Sequence, residues 1–174
     1  PDFSIGLNGK PWMWNNWFRY TLLRNESFSL YAGANPSLFF LSTESETGAD
    51  LIEAHRNLTG ELSGAWRKND KQKYLFTYRY NQAFDFGTIN GHFIDFSAEL
   101  SQVVRLEGFY LNMRPQFFYF NNQGSVDGLF ISNTIQIGYK KLPLLLTYQS
   151  VQSIWTNFLP EAKYNHNISI LYLF

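Results

Sequence analysis

Side chains along most of this chain alternate between apolar and polar at every second residue. In one such segment, Leu58, Leu62 and Trp66 alternate with Glu61 and Arg67. A period of two is that of a β-strand, whose successive side chains point to opposite faces of a sheet. Ten segments show this pattern, at 3–7, 18–22, 28–40, 58–66, 74–80, 94–100, 109–113, 129–139, 144–148 and 168–174. The alternation predicts an all-β fold of about ten strands, with eight as the alternative count, in a single domain over residues 1–174.

The charged residues of these segments all lie opposite the apolar rows. They are Arg19, Glu61, Arg67, Arg79, Asp95, Glu99 and Arg114. A lipid-facing surface requires this separation, because a Lys or Arg at the bilayer midplane of a barrel costs roughly 2–4 kcal/mol. The alternative is a soluble barrel with an apolar interior. About eight strands enclose only packed side chains or one small ligand, and the apolar rows here hold far more bulk than that. The pattern therefore favours a transmembrane β-barrel.

The composition agrees with this class and excludes several others. Charged residues make up 16%, against roughly 25% in ordinary soluble domains, yet the mean hydropathy is only −0.26. The absence of cysteine excludes disulfides, thiolate metal sites and a cysteine nucleophile. A formal net charge of zero argues against nucleic acid as a partner.

Connections between the predicted strands alternate in length along the chain. The short ones are 24–26, 68–72, 102–105 and 140–143, and the longer ones are 9–16, 42–56, 82–91, 120–127 and 152–163. Bacterial outer-membrane barrels have an even number of antiparallel up-and-down strands, short periplasmic turns and longer extracellular loops. We therefore predict this architecture, with both termini on the periplasmic side.

The last eleven residues carry a more specific pattern. Apolar residues fall at every second position up to a terminal aromatic, at Tyr164, Ile168, Ile170, Tyr172 and Phe174. This segment resembles the C-terminal strand of bacterial outer-membrane β-barrel proteins. The resemblance implies that the barrel-assembly machinery of the outer membrane recognises the segment during insertion. It indicates a class of membrane insertion and no specific family or activity.

Aromatic residues cluster near the ends of the predicted strands. We expect Trp12, Trp14, Trp17, Trp66, Tyr74 and Tyr139 to lie in the two interfacial girdles of a barrel. The seven opposite-face charges named above should meet inside a narrow lumen, where ions must be paired. Two interpretations stay open for them: a salt-bridged plug of side chains, which we favour, and a charged constriction for conduction.

Candidate catalytic residues are few. His55 and His92 both fall in or beside long connections, and Asp95 follows His92 by three residues. Together with a nearby acid such as Glu53 or Asp85, the two histidines could activate a water molecule or bind a metal ion. Their spacing matches no established motif, so we assign no catalytic residue, metal or cofactor.

Three functions follow from these observations. The first, which we favour, is a non-enzymatic integral outer-membrane protein, either a structural element or a subunit of a larger assembly. The second is an outer-membrane enzyme acting on lipid A, phospholipid or peptides, and the third is a narrow channel or transporter. The expected partners are outer-membrane lipid, lipopolysaccharide, the assembly machinery, and other outer-membrane or periplasmic proteins.

Overall fold

The chain folds as a single antiparallel sheet. A computed structural model describes residues 2–5, 11–44, 50–85, 90–123, 126–157 and 164–172. Its strands are β1 (Asp2–Ile5), β2 (Pro11–Asn15), β3 (Phe18–Arg24), β4 (Phe28–Glu44), β5 (Asp50–Asn69), β6 (Gln72–Ala83), β7 (Gly91–Leu106), β8 (Phe109–Asn122), β9 (Val126–Tyr139), β10 (Leu144–Thr156) and β11 (Tyr164–Tyr172). The described residues include no helix that is long and apolar enough to cross a membrane.

Each strand pairs with the next one along the chain, which is the up-and-down order that the sequence predicts. The sheet runs β1-β2-β4-β5-β6-β7-β8-β9-β10-β11, and β3 also pairs with β4. Since β2 pairs with β4 around Leu38 and β3 pairs with it from Ala34 onward, β2 and β3 form one strand interrupted at Asn16 and Trp17. With β2–β3 counted once, the sheet has ten strands. Among the described residues no backbone pairing joins β11 to the first strands, so the sheet has two ends.

The predicted alternation of short and long connections is present except at 123–125, which is one residue shorter than 140–143, because the strands extend further into the long connections than expected. The connections at one end of the sheet, here called the turn end, are 25–27, 70–71, 107–108 and 140–143. Those at the opposite loop end are 6–10, 45–49, 84–90, 123–125 and 157–163. Polar residues such as Glu53, His55 and Arg56, which we placed in a connection, therefore lie in β5.

One predicted turn is wrong. Residues 102–105 lie inside β7, where Gln102 has φ 53° and the pairing register with β8 shifts between Leu100 and Val104. This irregularity is a β-bulge. Its polar residues resemble those of a turn, so the sequence pattern alone does not distinguish the two. The true turn is at Glu107 and Gly108, with φ of 42° and 96°. Positive φ at both central residues is the geometry of the two-residue hairpin turn that matches strand twist.

The sheet is strongly curved. Side chains of β3, β4, β5, β6 and β8 line one cavity of about 760 Å³. In a flat sheet, β3 and β8 would lie about 24 Å apart, at about 4.8 Å per strand. They can share a cavity of this size only because the sheet curls around it. We call the side of the sheet that lines the cavity the inward face, and the opposite side the outward face.

Burial is reversed relative to a soluble protein. Leu145 is the one buried apolar side chain among the described residues. The buried polar residues are Asn15, Asn35, Ser37, Asn57, Glu61, Asp95, Ser97 and Ser132, all on the inward parity. Large apolar side chains are exposed on the outward parity, among them Leu58, Leu62, Trp66, Tyr74, Phe96, Phe117, Ile131, Ile137, Leu144 and Leu146. The fold therefore encloses polar groups and presents apolar ones.

The Glu107–Gly108 turn should be sensitive to a methyl group at Gly108. A Cβ there would meet the ring of Tyr139 at 2.9 Å, and the backbone has a φ that L-residues rarely adopt. We expect Gly108→Ala to lower the free energy of unfolding by about 1–3 kcal/mol, measured by denaturant titration. Gly60→Ala is the matched control, because a Cβ there meets nothing within 4 Å. Equal losses in the two variants would contradict this account of the turn.

Candidate functional site

The inward face holds a basic cavity at the turn end. It is lined by the β3–β4 turn residues Asn25, Glu26 and Ser27 and by inward side chains of the neighbouring strands. Six cationic side chains line it: Arg19, Arg24, Arg67, Lys73, Arg79 and Arg114. Two carboxylates, Glu26 and Glu61, line it as well. The cavity therefore has an excess of positive charge.

An ion cluster forms one wall of this cavity. Arg19, Gly33, Glu61 and Arg79 stand directly opposite one another on β3, β4, β5 and β6. Glu61 accepts hydrogen bonds from Arg19 Nε at 2.9 Å and from Arg79 Nε at 2.7 Å. Its side chain is 1% exposed, whereas those of Arg19 and Arg79 are 53% and 37% exposed. Gly33 lies between Arg19 and Glu61, so Arg19 crosses β4 without meeting a side chain.

Trp17 belongs to this cluster, and its predicted place in an interfacial girdle is wrong. The guanidinium carbons of Arg19 and Arg79 lie 5.2 and 5.1 Å from the centre of its ring. With the Asn35 amide oriented by its partners, Trp17 Nε1 donates to the amide oxygen at 3.1 Å. Trp17 has the same parity as the inward residues Asn15 and Arg19 on either side of the interruption. Cation–π contact and a hydrogen bond then hold the indole inward.

The other predicted lumen charges are separate from this cluster. Glu99 accepts from Lys73 Nζ at 3.2 Å, and Asp95 accepts from Gln116 Nε2 at 2.8 Å. Arg114 donates to Ser97 Oγ at 3.4 Å. Arg67 lines the cavity and makes no ion pair within the described part of the chain. The predicted network is thus one cluster and several separate contacts.

Two of the cavity cations were missed at the sequence level. Lys73 falls between the predicted turn at 68–72 and the predicted strand at 74–80, and its odd number in β6, which matches that of Arg79, would place it inward. Arg24 falls on the outward parity by simple counting. A register shift between Thr21 and Leu23 reverses the parity of β3 there and brings Arg24 to the cavity.

The histidine candidates do not form a common site. His55 is an inward residue of β5, with Nε2 3.6 Å from a Glu53 carboxylate oxygen. His92 is an outward residue of β7, hydrogen-bonded through Nδ1 to the Tyr78 hydroxyl at 3.0 Å. Asp95 has the opposite parity to His92 and lies on the inward face. A site that combines His55 with His92, or His92 with Asp95, is therefore wrong, because the two members of each pair lie on opposite sides of the sheet.

Asp85, a further candidate acid, lies in the connection between β6 and β7 and is bound by Arg56. Arg56 Nη2 donates to Asp85 Oδ1 at 2.7 Å, and the Arg56 backbone NH donates to Oδ2. These hydrogen bonds hold the pKa of the Asp85 carboxyl below its ordinary 3.8. The ion pair is therefore complete above pH 3.8 and is lost as the pH falls through the lowered pKa. Asp85 anchors the connection to β5 and is not a proton donor near neutral pH.

The predicted interfacial aromatics other than Trp17 divide between the two ends of the sheet. Trp66 stacks on Tyr74 with ring centres 5.3 Å apart, and Tyr139 packs on Phe109 at 4.6 Å, all outward at the turn end. Trp14 is exposed beside β4 toward the loop end. Trp12 lies in β2, and its side chain is outside the described residues.

The C-terminal segment forms β11 at one end of the sheet. Tyr164, Ile168, Ile170 and Tyr172 lie in this strand, with Ile168 and Ile170 more than 70% exposed. Phe174 lies outside the described residues. The role of this segment as an assembly signal stays a prediction.

Comparisons with protein-family models, with curated proteins and with solved structures give no match to this chain. The described residues also contain no group of three or more His, Cys, Asp or Glu side chains arranged to hold a metal ion. Function must therefore be argued from the sheet and the cavity themselves.

Loss of the Glu61 charge should destabilise the fold. Glu61→Gln leaves two guanidinium groups facing each other without their shared carboxylate. We expect it to lower the free energy of unfolding by about 1–3 kcal/mol. Glu99→Gln is the matched control, because its half-exposed ion pair with Lys73 should be worth about 0–1 kcal/mol. If denaturant titration gives the two variants equal losses, the central role of Glu61 is contradicted.

Proposed function

We propose that the chain is an integral β-barrel protein of the bacterial outer membrane, with a structural, non-enzymatic role either alone or as a subunit of a larger assembly. The observation that carries this proposal is the reversed burial. A soluble domain buries its apolar side chains, since their transfer from water drives folding. This sheet instead surrounds ion pairs and amides and exposes Leu, Ile, Phe and Trp side chains. Lipid is the solvent in which such a surface is stable.

The outward apolar band has the height that a bilayer requires. In β9 it runs from Leu129 to Tyr139, with an interruption at Asn133. Ten residues span roughly 33 Å along a strand, which is about 25 Å across a membrane at a tilt of roughly 40°. The apolar band of outer-membrane barrels is about 25 Å tall.

Polar groups limit the band at both ends. At the loop end, the same outward rows continue into Arg56, Gln82, His92, Asn121 and Asp127. Two nearby outward tyrosines have hydrogen-bonded hydroxyls, Tyr78 to His92 and Tyr119 to Asp127. The Tyr148–His166 pair lies nearer the middle of the band, beside the interruption at Asn133. At the turn end lie the Trp66–Tyr74 and Phe109–Tyr139 pairs. Rings with an apolar body and a bonded polar tip are typical of membrane interfaces.

The two ends of the sheet support closure into a barrel. Every residue of β3 is exposed, as are residues 165–170 of β11, and both strands have a free backbone edge in the described sheet. Unpaired backbone groups cost several kcal/mol each in hydrocarbon. In a bilayer these edges must therefore be paired. Because β3 and β11 both run toward the turn end, antiparallel closure would join β11 to β1, the outermost strand, which runs toward the loop end.

A structural role is the best-supported activity class. His92 lies on the opposite face from His55 and Asp95, and the inward ion cluster links neighbouring strands. The basic cavity favours a narrow channel as the second candidate function, because it leaves space on the inward face. Single-channel recording in planar bilayers distinguishes these functions, since a structural barrel should give no conductance steps.

Membrane exposure can be tested with one substitution made on each face. Leu62 is outward and 39% exposed, whereas Leu75 is inward and lines the cavity. If the outward face meets lipid, Leu62→Lys should cost about 2–4 kcal/mol in protein refolded into lipid vesicles, and Leu75→Lys much less. In a soluble protein the order would be reversed, because Leu62 would then already face water. The reversed order would contradict the proposal.

Closure can be tested by disulfide formation, since the native chain has no cysteine. Ser4→Cys in β1 is combined in turn with cysteine at Asn165, His166, Asn167 or Ile168 in β11, and the membranes are oxidised. A disulfide requires Cα atoms about 4.4–6.8 Å apart. A monomer cross-linked within itself is expected for a closed barrel. A cross-linked dimer would indicate pairing between two copies, and no cross-link in any combination would contradict closure by β1 and β11.

A further inference from the structure

We infer that the basic cavity is a binding site for a small soluble oxyanion, with a phosphate group as its most suitable form. The site is the 760 Å³ space at the turn end of the inward face. This inference concerns the inward face, whereas the proposed membrane location rests on the outward face.

Charge accounting identifies the groups that would bind the anion. Glu61 is shared by Arg19 and Arg79, which leaves one net positive charge in that cluster, and Glu99 pairs with Lys73. Glu26 also lines the cavity. The remaining cations of the cavity are Arg24, Arg67 and Arg114, none of which has a carboxylate partner among the described residues. Three exposed guanidinium groups thus line one half-open space, and an anion that binds there would offset their mutual repulsion.

The residue type and the lining determine the ligand class. A guanidinium group presents several N–H donors in a planar fork that matches the oxygens of phosphate or carboxylate. A phosphate carries more charge and more acceptor oxygens than a carboxylate, so it can engage three guanidinium groups at once. The lining also includes Ser29, Tyr31 and Thr77, which can hydrogen-bond the remaining oxygens. A lipid tail would have little apolar surface to contact here, so the ligand should be a free ion or a small phosphorylated molecule.

The position of Glu61 makes the site rigid. Arg19 and Arg79 are held by Glu61 and by the Trp17 ring, so one wall of the cavity is fixed before any ligand enters. Arg67 and Arg114 extend from β5 and β8, and Arg24 from the end of β3 beside the β3–β4 turn. The anion would therefore be bound near the turn end, which is periplasmic in the proposed topology.

Calorimetric titration of inorganic pyrophosphate into the folded protein in a non-ionic detergent tests this site. We expect saturable binding of one pyrophosphate per chain at about 0.1 M NaCl. Arg67→Gln and Arg114→Gln should each weaken binding about tenfold or more, because each removes charge-assisted hydrogen bonds. The control is Lys71→Gln, which removes a positive charge from the β5–β6 turn outside the cavity. It should change the affinity less than about twofold.

The outcomes separate a built site from diffuse attraction. If binding is not saturable, or if Lys71→Gln weakens it as much as Arg114→Gln does, the inferred site is overturned. Circular dichroism confirms that each variant is folded. Arg67→Lys and Arg114→Lys retain the charge without the planar fork, and should give intermediate affinities. If a glutamine variant does not fold, the lysine variant at the same position still tests whether that residue binds the anion. Failure here would leave the Leu62→Lys comparison unaffected, since that variant probes the outward face.

Discussion

The structure depends on the coupling between backbone hydrogen bonding and side-chain alternation in one antiparallel sheet. Each strand satisfies its backbone groups on the next strand, so every second side chain is committed to the same face. A shift of one residue in any pairing would exchange the polar and apolar faces of that strand. The short turns fix this register between neighbouring strands, whereas the irregularities in β3 and β7 shift it locally.

Glu61 is the residue that connects the charged side chains of the inward face. One carboxylate in β5 links β3 and β6 through two guanidinium groups, across the space left by Gly33. Buried ion pairs often add little net stability, because desolvation opposes their attraction. Their effect here is one of specificity. With an apolar residue in place of Glu61, Arg19 and Arg79 would have no shared carboxylate to bind. The ion-paired link between β3, β5 and β6, which supports the curvature around the cavity, would then be lost.

Prediction from the sequence worked where alternation alone was informative. The ten strands, their up-and-down order and the inward position of Glu61, Arg79 and Asp95 follow from a period of two. It did not work where the period is interrupted. The bulge at Gln102 resembles a turn in sequence, and the register shift in β3 reverses the parity that would otherwise place Arg24 outward. A register shift changes parity without changing composition, so counting residues cannot detect it. Trp17 has the inward parity by counting, but its position among Trp12 and Trp14 suggests an interfacial residue.

The sequence by itself determined that apolar and charged side chains lie on opposite faces of a sheet, because parity is a local property of the chain. Only the tertiary structure decided which charges meet. Glu61 and Arg19 are 42 residues apart and contact each other through strand register and sheet curvature. His92 and Asp95 are three residues apart and never meet, because the sheet lies between them. Distance along the chain does not determine proximity in a curved sheet, and for this reason the basic cavity was not evident before the fold was known.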